Sequence, residues 1–449
     1  MPFKALVAFG AVVGFGFSIL LVPAWGAEIV PSVRTAVQED SAAASAPLTL
    51  DESYTRTLTG SPVLAAFSKE IQAGKAEALQ AGLRPNPELS VEVENVAGSG
   101  DYSGFDSAET TVRLSQLVEL GGKRRLRRQA GDLERTVADR DFEAARAAAL
   151  AETAGRFAAL LAAQERLALA GQQLRLAEQV LRTGEERIEA GKAPAVERLR
   201  LQALVAEARL AQDQARQQRA TARQALAAAW GGETADFDRA AGEFEHLPAL
   251  PDWLEVSGWI AQTPAVAGQA ARIEQSRQKV KLEDALGIPD LTVSLGAKDI
   301  RETNDRALVA EFSVPLQFFD RNQGARSAAR ARHAKAGEEH RAALLQARTD
   351  LVEAWGRMTA ARGTARVLRE EILPVEQQSF EAISYGYRAG KFGLLEILGV
   401  QRTLFEARGR YIDALEACHQ AVAEIEGLLG RKISNSAAIA GIDTERGES

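Results

Sequence analysis

The chain has 449 residues, 54 of them basic and 61 acidic, for a net charge of −7. That mild acidity gives no electrostatic case for nucleic acid, whose recognition needs a basic face. A single cysteine, Cys418, excludes an intramolecular disulfide, and with only four histidines it also argues against a structural zinc site.

At the start, Lys4 precedes an apolar run over 5–22. Pro23 and the small residues Ala24, Gly26 and Ala27 end it, which predicts a cleavable secretion signal over 1–26. The run is also long enough to serve as a membrane anchor. Residues 27–47 are rich in Ala, Ser and Pro and read as a flexible segment. A helix over 50–83 follows. Leu89, Val91 and Val93 then alternate with Ser90, Glu92 and Glu94, which predicts a strand. After a polar loop over 97–108, Val112 and Leu114 alternate with Thr111, Arg113 and Ser115 to give a second.

Long helical stretches over 122–189 and 193–230 come next. In the first, Leu160, Leu167, Leu174, Leu181 and Ile188 recur every seven residues. Three places on stand Ala163, Ala170, Ala177, Gly184 and Gly191. Large residues on one seam and small ones on the other allow close approach in a coiled coil. The order then repeats. A helix over 253–287 leads to a strand at Leu291, Val293 and Leu295, a loop over 299–306, and a strand at Leu308, Ala310, Phe312 and Val314. Helical stretches over 321–389 and 392–429 close the chain. Pro374 should break or kink the first of these. The last carries the seam Ile397, Leu404, Tyr411, Cys418 and Ile425.

The chain is thus written twice. Gly191-Lys192 and Glu197 match Gly390-Lys391 and Glu396 at an offset of 199, while Ser61-Pro62 matches Thr263-Pro264 at 202. Two copies, over 48–245 and 246–432, predict a duplicated fold half with pseudo-symmetry, followed by a flexible tail over 433–449. Each pair of long helices becomes an antiparallel hairpin with its tip at a Gly-Lys turn. The class is mainly α with a small β part.

Alternating strands in an exported chain suit an outer-membrane barrel, or a soluble sheet solvated on one face. Four strands cannot close a barrel, and lipid tolerates no open edge. A spanning version must be an oligomer, and three chains of four strands would give twelve.

The hairpin-tip sequences Tyr387-Arg388-Ala389-Gly390 and Leu395-Glu396-Ile397-Leu398, with the stretches QLVELGGKRR (116–125) and VPLQFFDRNQG (314–324), resemble the TolC-like outer-membrane efflux channels. The two post-strand stretches are similar to the heavy-metal subfamily, which serves cobalt–zinc–cadmium and copper–silver resistance pumps. The resemblance covers nearly the whole mature length. It implies a homotrimer with a twelve-stranded barrel in the outer membrane and an α-helical tunnel across the periplasm. It also implies two partners, a periplasmic adaptor and an inner-membrane proton-driven pump.

That frame gives the candidate residues their roles. The tip residues Gly191, Lys192, Gly390 and Lys391 form the gate and the end-on docking surface for an adaptor. Glu197 and Glu396 are either solvated helix carboxylates or members of an acidic ring on a three-fold axis, which would favour cations. The resemblance favours Glu396 for the ring, although the second acid of the family pattern is replaced by Gly399. Arg388 either bonds carbonyls at its helix end or pairs with a neighbouring acid. Lys123, Arg124, Arg125, Arg127 and Arg128 form a basic run at the periplasmic membrane surface, reaching for lipid phosphates or simply solvated. Asp320 and Gln323 read as a helix cap. Cys418 reads as a small apolar core residue, and no cofactor or metal site is predicted. No nucleophile–base pair, phosphate loop or dinucleotide fingerprint is found, so no enzyme is expected. The function implied is a passive exit duct for heavy-metal cations. Its rivals are drug efflux or protein secretion on the same fold, and a periplasmic coiled-coil scaffold without a pore.

Overall fold

A computed structural model describes residues 47–247 and 251–433, which belong to one compact unit. The predicted signal over 1–26, nearly all of the segment over 27–47 and all but the first residue of the tail lie outside the described residues.

Each half opens with two helices rather than one. Helices α1 (Leu50–Gly60) and α2 (Pro62–Ala81) are separated at Ser61, whose backbone is extended at φ −64° and ψ 119°. In the second half α5 (Trp253–Gly258) and a 3₁₀ turn precede α6 (Pro264–Leu286), and Thr263 is likewise extended at ψ 146°. The single helices expected over 50–83 and 253–287 are therefore each interrupted. Proline disfavours the helical region for the residue before it and suits the first position of a new helix.

Strands β1 (Glu88–Glu94), β2 (Glu109–Val118), β3 (Leu291–Ile300) and β4 (Asp305–Ser313) form one antiparallel sheet in the order β1-β2-β3-β4. The loop expected over 299–306 shrinks to 301–304, because the β3–β4 ladder runs on to the pair Ile300 and Asp305. Asn304 makes that turn possible with φ 57°. The two halves thus meet strand to strand, β2 against β3.

Helix α3 (Lys123–Glu189) has 67 residues and is about 100 Å long. It runs antiparallel to α4 (Val196–Ala228) and also packs on α2, α6 and α9 (Leu394–Leu429). Its small seam is the fully buried one, at Ala163, Ala170, Ala177 and Gly184. On the large seam Leu160 is also buried, while Leu167, Leu174, Leu181 and Ile188 stay half-buried. A β-carbon at Gly184 would collide with Leu201 of α4, which explains why the small seam admits close helices.

In the second half α7 (Gln323–Val367) passes through a π-helical turn, Leu368–Ile372, into α8 (Leu373–Arg388). Pro374 lies one residue into α8. It has no N–H to offer the carbonyl four residues back, and its ring would clash with the preceding turn of a regular helix. The wide turn absorbs both problems without ending the helix. Just there a core gathers Leu160, Leu226, Phe237, Leu368 and Leu415 around the short parallel bridge between Leu48 and Ala240. Cys418 is 1% exposed in a second core with Leu351, Met358 and Ile425.

Candidate functional site

The two hairpin tips are copies of one motif. Gly191 and Gly390 take φ 70° and 75°. In the first tip the N–H of Gly191 bonds Ile188 O at 3.0 Å and that of Lys192 bonds Arg187 O at 2.8 Å. In the second, Gly390 bonds Tyr387 O at 3.0 Å and Lys391 bonds Gly386 O at 2.8 Å. These are Schellman closures, with the left-handed residue just past the helix end. A β-carbon on either glycine would meet nothing within 4 Å, so backbone conformation rather than crowding requires glycine here. Lys192 and Lys391 are both exposed beyond the turns.

Sequence reasoning missed what joins the tips. Arg187, near the end of α3, donates from Nη1 to Tyr387 O at 2.8 Å and stacks 4.5 Å from the centre of the Tyr387 ring. Tyr387 is 1% exposed in a core with Val180, Leu201, Leu394 and Ile397. Its hydroxyl has no hydrogen-bond partner. Burial pushes the phenol pKa up, with Arg187 opposing and Glu197 adding to the rise. Tyr387 stood inside the tip pattern read from the sequence, but nothing marked Arg187 as its partner.

Glu197 and Glu396 each sit in the first turn of the returning helix, where a carboxylate is favoured by the helix dipole. Glu197 is half-buried and close enough to act on Tyr387. Glu396 is exposed and folds back over Gly393, where a β-carbon would lie 2.9 Å from its Oε2. Arg388 is exposed, with Nε 3.4 Å from Ser384 O of its own helix.

The basic run is divided. Lys123 is 4% exposed and pairs with Asp290 Oδ1 at 2.8 Å. The same oxygen accepts the N–H of Leu120 at 2.9 Å. Burial pushes the Asp290 pKa up, yet the bonds from Lys123 and Leu120 outweigh it and hold the carboxyl below its usual range. Arg127 forks onto Glu119 and also reaches Ala81 O at 3.3 Å, while Arg124 bonds Gly82 O at 2.8 Å. These three side chains clamp the start of α3 to the end of α2 and to the strand bases. Arg125 and Arg128 remain exposed.

Helix α7 starts at Asn322 with φ 57°. Asp320 Oδ1 accepts the Asn322 N–H at 2.9 Å and Gln323 Oε1 accepts the Arg321 N–H at 2.8 Å. The two residues therefore serve the chain before the helix, and Asn322 takes the cap position itself.

The sheet has two chemically distinct faces. Leu89, Val91, Leu114, Leu295, Leu308 and Phe312 share one, and all are exposed. On the other the carboxylates Glu88, Glu92, Glu94, Glu109, Asp305 and Glu311 outnumber the two cations Arg113 and Lys298. Arg113 lies between Glu92 at 3.5 Å and Glu311 at 3.2 Å, reaching the latter across Gly296. Lys298 pairs with Glu94 at 3.5 Å and with Glu109. The sequence showed alternation here but not which charges meet, because three of the four pairs join strands from different halves. Strands β1 and β4 are open edges in the single chain. Among the described residues no helix is long and apolar enough to cross a membrane, and no cluster of metal-ligand residues occurs.

Comparison with known proteins agrees with this architecture. The outer membrane efflux protein family matches residues 54–232 and again 257–431. The cobalt-zinc-cadmium resistance protein CzcC of Cupriavidus metallidurans is 33% identical over 388 residues, covering 86% of this chain and 91% of that protein. The nickel-cobalt-cadmium resistance protein NccC of Alcaligenes xylosoxydans xylosoxydans is 27% identical over 297 residues, covering 66% of this chain and 65% of that one. Among solved structures, a membrane protein from Pseudomonas aeruginosa superposes with a TM-score of 0.74 at 20% identity, covering 86% of this chain and 91% of that chain. The CusC channel does so with a TM-score of 0.71 at 16% identity, covering 85% and 92%. With both halves matched and the fold shared, the chain belongs to the outer membrane efflux protein family and is an outer-membrane protein extending into the periplasm.

Proposed function

We propose that this protein is the passive exit duct of a tripartite efflux complex, carrying heavy-metal cations from the periplasm to the exterior. The observation that carries the reading is the four-stranded sheet. It has two open edges, an exposed apolar face and an acidic opposite face. Lipid tolerates no unpaired edge, so the edges must be filled by further copies. Three chains of four strands close a twelve-stranded barrel with the apolar face to lipid. The acidic face then lines the lumen, where its field raises the local concentration of cations. The metal-resistance relatives point to the same class of cargo.

The long hairpins form the periplasmic tunnel, and their tips gate it. Gly191, Lys192, Gly390 and Lys391 present the docking surface for a periplasmic adaptor, which links the duct to a proton-driven inner-membrane pump. Glu396 supplies the acidic ring, Glu197 acts on the tip contact at Tyr387, and Arg388 caps its helix end. In the basic run, Arg125 and Arg128 face the lipid phosphates while Lys123, Arg124 and Arg127 hold the junction. A strain lacking the gene should become sensitive to divalent heavy metals and recover on complementation. Unchanged metal tolerance with new drug sensitivity would move the duct to a different cargo.

A further inference from the structure

Two carboxylates oppose each other directly across the sheet, Glu94 on β1 and Glu109 on β2. Among the described strands this is the one register pair of acid on acid. Asp305, the next carboxylate along that row, is separated from Glu109 by Ile300. Directly opposed side chains stand about 4.5–5.5 Å apart at Cβ, and like charges there are destabilising. The same spacing lets two carboxylates close on one divalent cation, since zinc–oxygen distances are about 2.0–2.2 Å.

Lys298 of β3 fills that place. Its Nζ contacts Glu109 and lies 3.5 Å from Glu94 Oε2. The side chain is 26% exposed on a face that is open in the single chain, so it lies along the sheet rather than standing off it. To reach Glu94 it crosses β2, two strand spacings or about 10 Å. Arg113 is placed differently. Its carboxylates, Glu92 at 3.5 Å and Glu311 at 3.2 Å, belong to β1 and β4. Those strands are three spacings apart, about 14 Å. Removing Arg113 therefore uncovers no opposed pair, whereas removing Lys298 does.

The position along the duct gives the pair its meaning. Strand β1 ends at Glu94, β2 begins at Glu109, and the long helix α3 starts only after β2. The pair thus sits at the end of the sheet away from the helices, which in the barrel is the outer mouth. An ion must bind well enough to enter a pore and weakly enough to leave it. Two bare carboxylates at the exit would hold a divalent cation at the last step.

We propose that Lys298 is a resident counter-ion that keeps the outer mouth from chelating the divalent cations it passes. Its ammonium occupies the space between Glu94 and Glu109, so the mouth attracts cations without retaining them. The inference rests on the duct reading above and names the residue that sets release within it.

Zinc block of potassium current tests it. The full mature trimer is placed in planar bilayers in potassium chloride, and zinc chloride is added. Lys298→Met should be blocked at zinc concentrations at least about tenfold lower than the parent, because a unit charge about 4 Å from the carboxylates has been removed. A chelator should restore the current. Adding Glu109→Gln to Lys298→Met should abolish the extra sensitivity, and Lys298→Arg should behave as the parent. Arg113→Gln should gain cation selectivity without gaining zinc block. Equal zinc sensitivity in Lys298→Met and the parent overturns the proposal and leaves the duct standing. Block that survives Glu109→Gln also overturns it, since zinc would then bind elsewhere. If Lys298→Met assembles poorly, zinc present during refolding should restore its trimer but not that of the double variant. Failure to assemble with zinc as well as without it overturns the proposal. A parent that forms no cation-selective channel removes the duct reading and this inference with it.

Discussion

Arg187 of the first hairpin grips Tyr387 of the second twice, through its carbonyl oxygen at 2.8 Å and its ring face at 4.5 Å. This pair is the polar link at the tip core, so it decides how tightly the two hairpins travel together. The two partners should respond unequally to substitution. Arg187→Met keeps the apolar stem but removes a charged hydrogen bond and a cation–π contact, a loss of about 1–3 kcal/mol. The tip should open more often, seen as raised open probability in single-channel records. Tyr387→Phe removes only a buried hydroxyl that has no partner, so it should be neutral or slightly stabilising. Loss of trimer in the phenylalanine variant would contradict this reading of the tip.

Gly390→Val should strain the turn, because a β-branched residue at φ 75° costs about 1–3 kcal/mol. Efflux should fall while trimers still assemble, since a side chain there meets nothing within 4 Å. Gly390→Asn should be milder, because Asn tolerates the left-handed region. Failure to assemble would make Gly390 a folding residue instead.

Three Glu396 carboxylates near a three-fold axis would favour cations in the constriction. Glu396→Gln keeps size and removes charge, so cation selectivity in bilayer recordings should drop. The difference should shrink at high salt, where exposed charges are screened over about 10 Å at 0.1 M. Glu197→Gln serves as the comparison, since Glu197 lies by Tyr387 instead. Parental selectivity in both variants would return Glu396 to the role of a helix-start carboxylate.

The junction below the sheet should be sensitive to acid. Asp290 has its pKa lowered in the folded chain, so its contribution is present above the unfolded carboxylate value of about 3.9. It is lost as pH falls through the lower folded value. Asp290→Asn should be less stable than the parent at neutral pH, by about 3–5 kcal/mol, because Lys123 is left buried without its charge partner. Thermal unfolding followed by circular dichroism should show the gap narrowing as pH drops below about 4. A gap that is constant with pH would mean that the ion pair contributes little.

Much of this was legible in the residues, and what was not follows a pattern. Features set by neighbours in sequence could be read directly. The glycine turns at 191 and 390, the alternation of the strands and the disturbance at Pro374 are all local. The break at Ser61 and Thr263 was also written locally, in the following prolines, but the helical pattern on both sides obscured it. Features that join distant segments could not be read. Lys123 looked like one of five similar cations until Asp290, 167 residues later, turned it inward. Arg187 and Tyr387 meet across 200 residues, and Arg113 finds Glu311 only because β2, β3 and β4 lie side by side. Side-chain charge is visible in a sequence, but its partner is a property of the fold.

The most direct test of the central claim is the current carried by the purified mature protein in a planar bilayer under a salt gradient. A trimer should give stable ohmic channels whose reversal potential is that of a cation-selective pore. Replacing Glu92 and Glu311 together with Gln should move that potential toward zero, because the lumen face loses two of its six carboxylates in each chain. No conductance, or a pore selective for anions, would contradict the account.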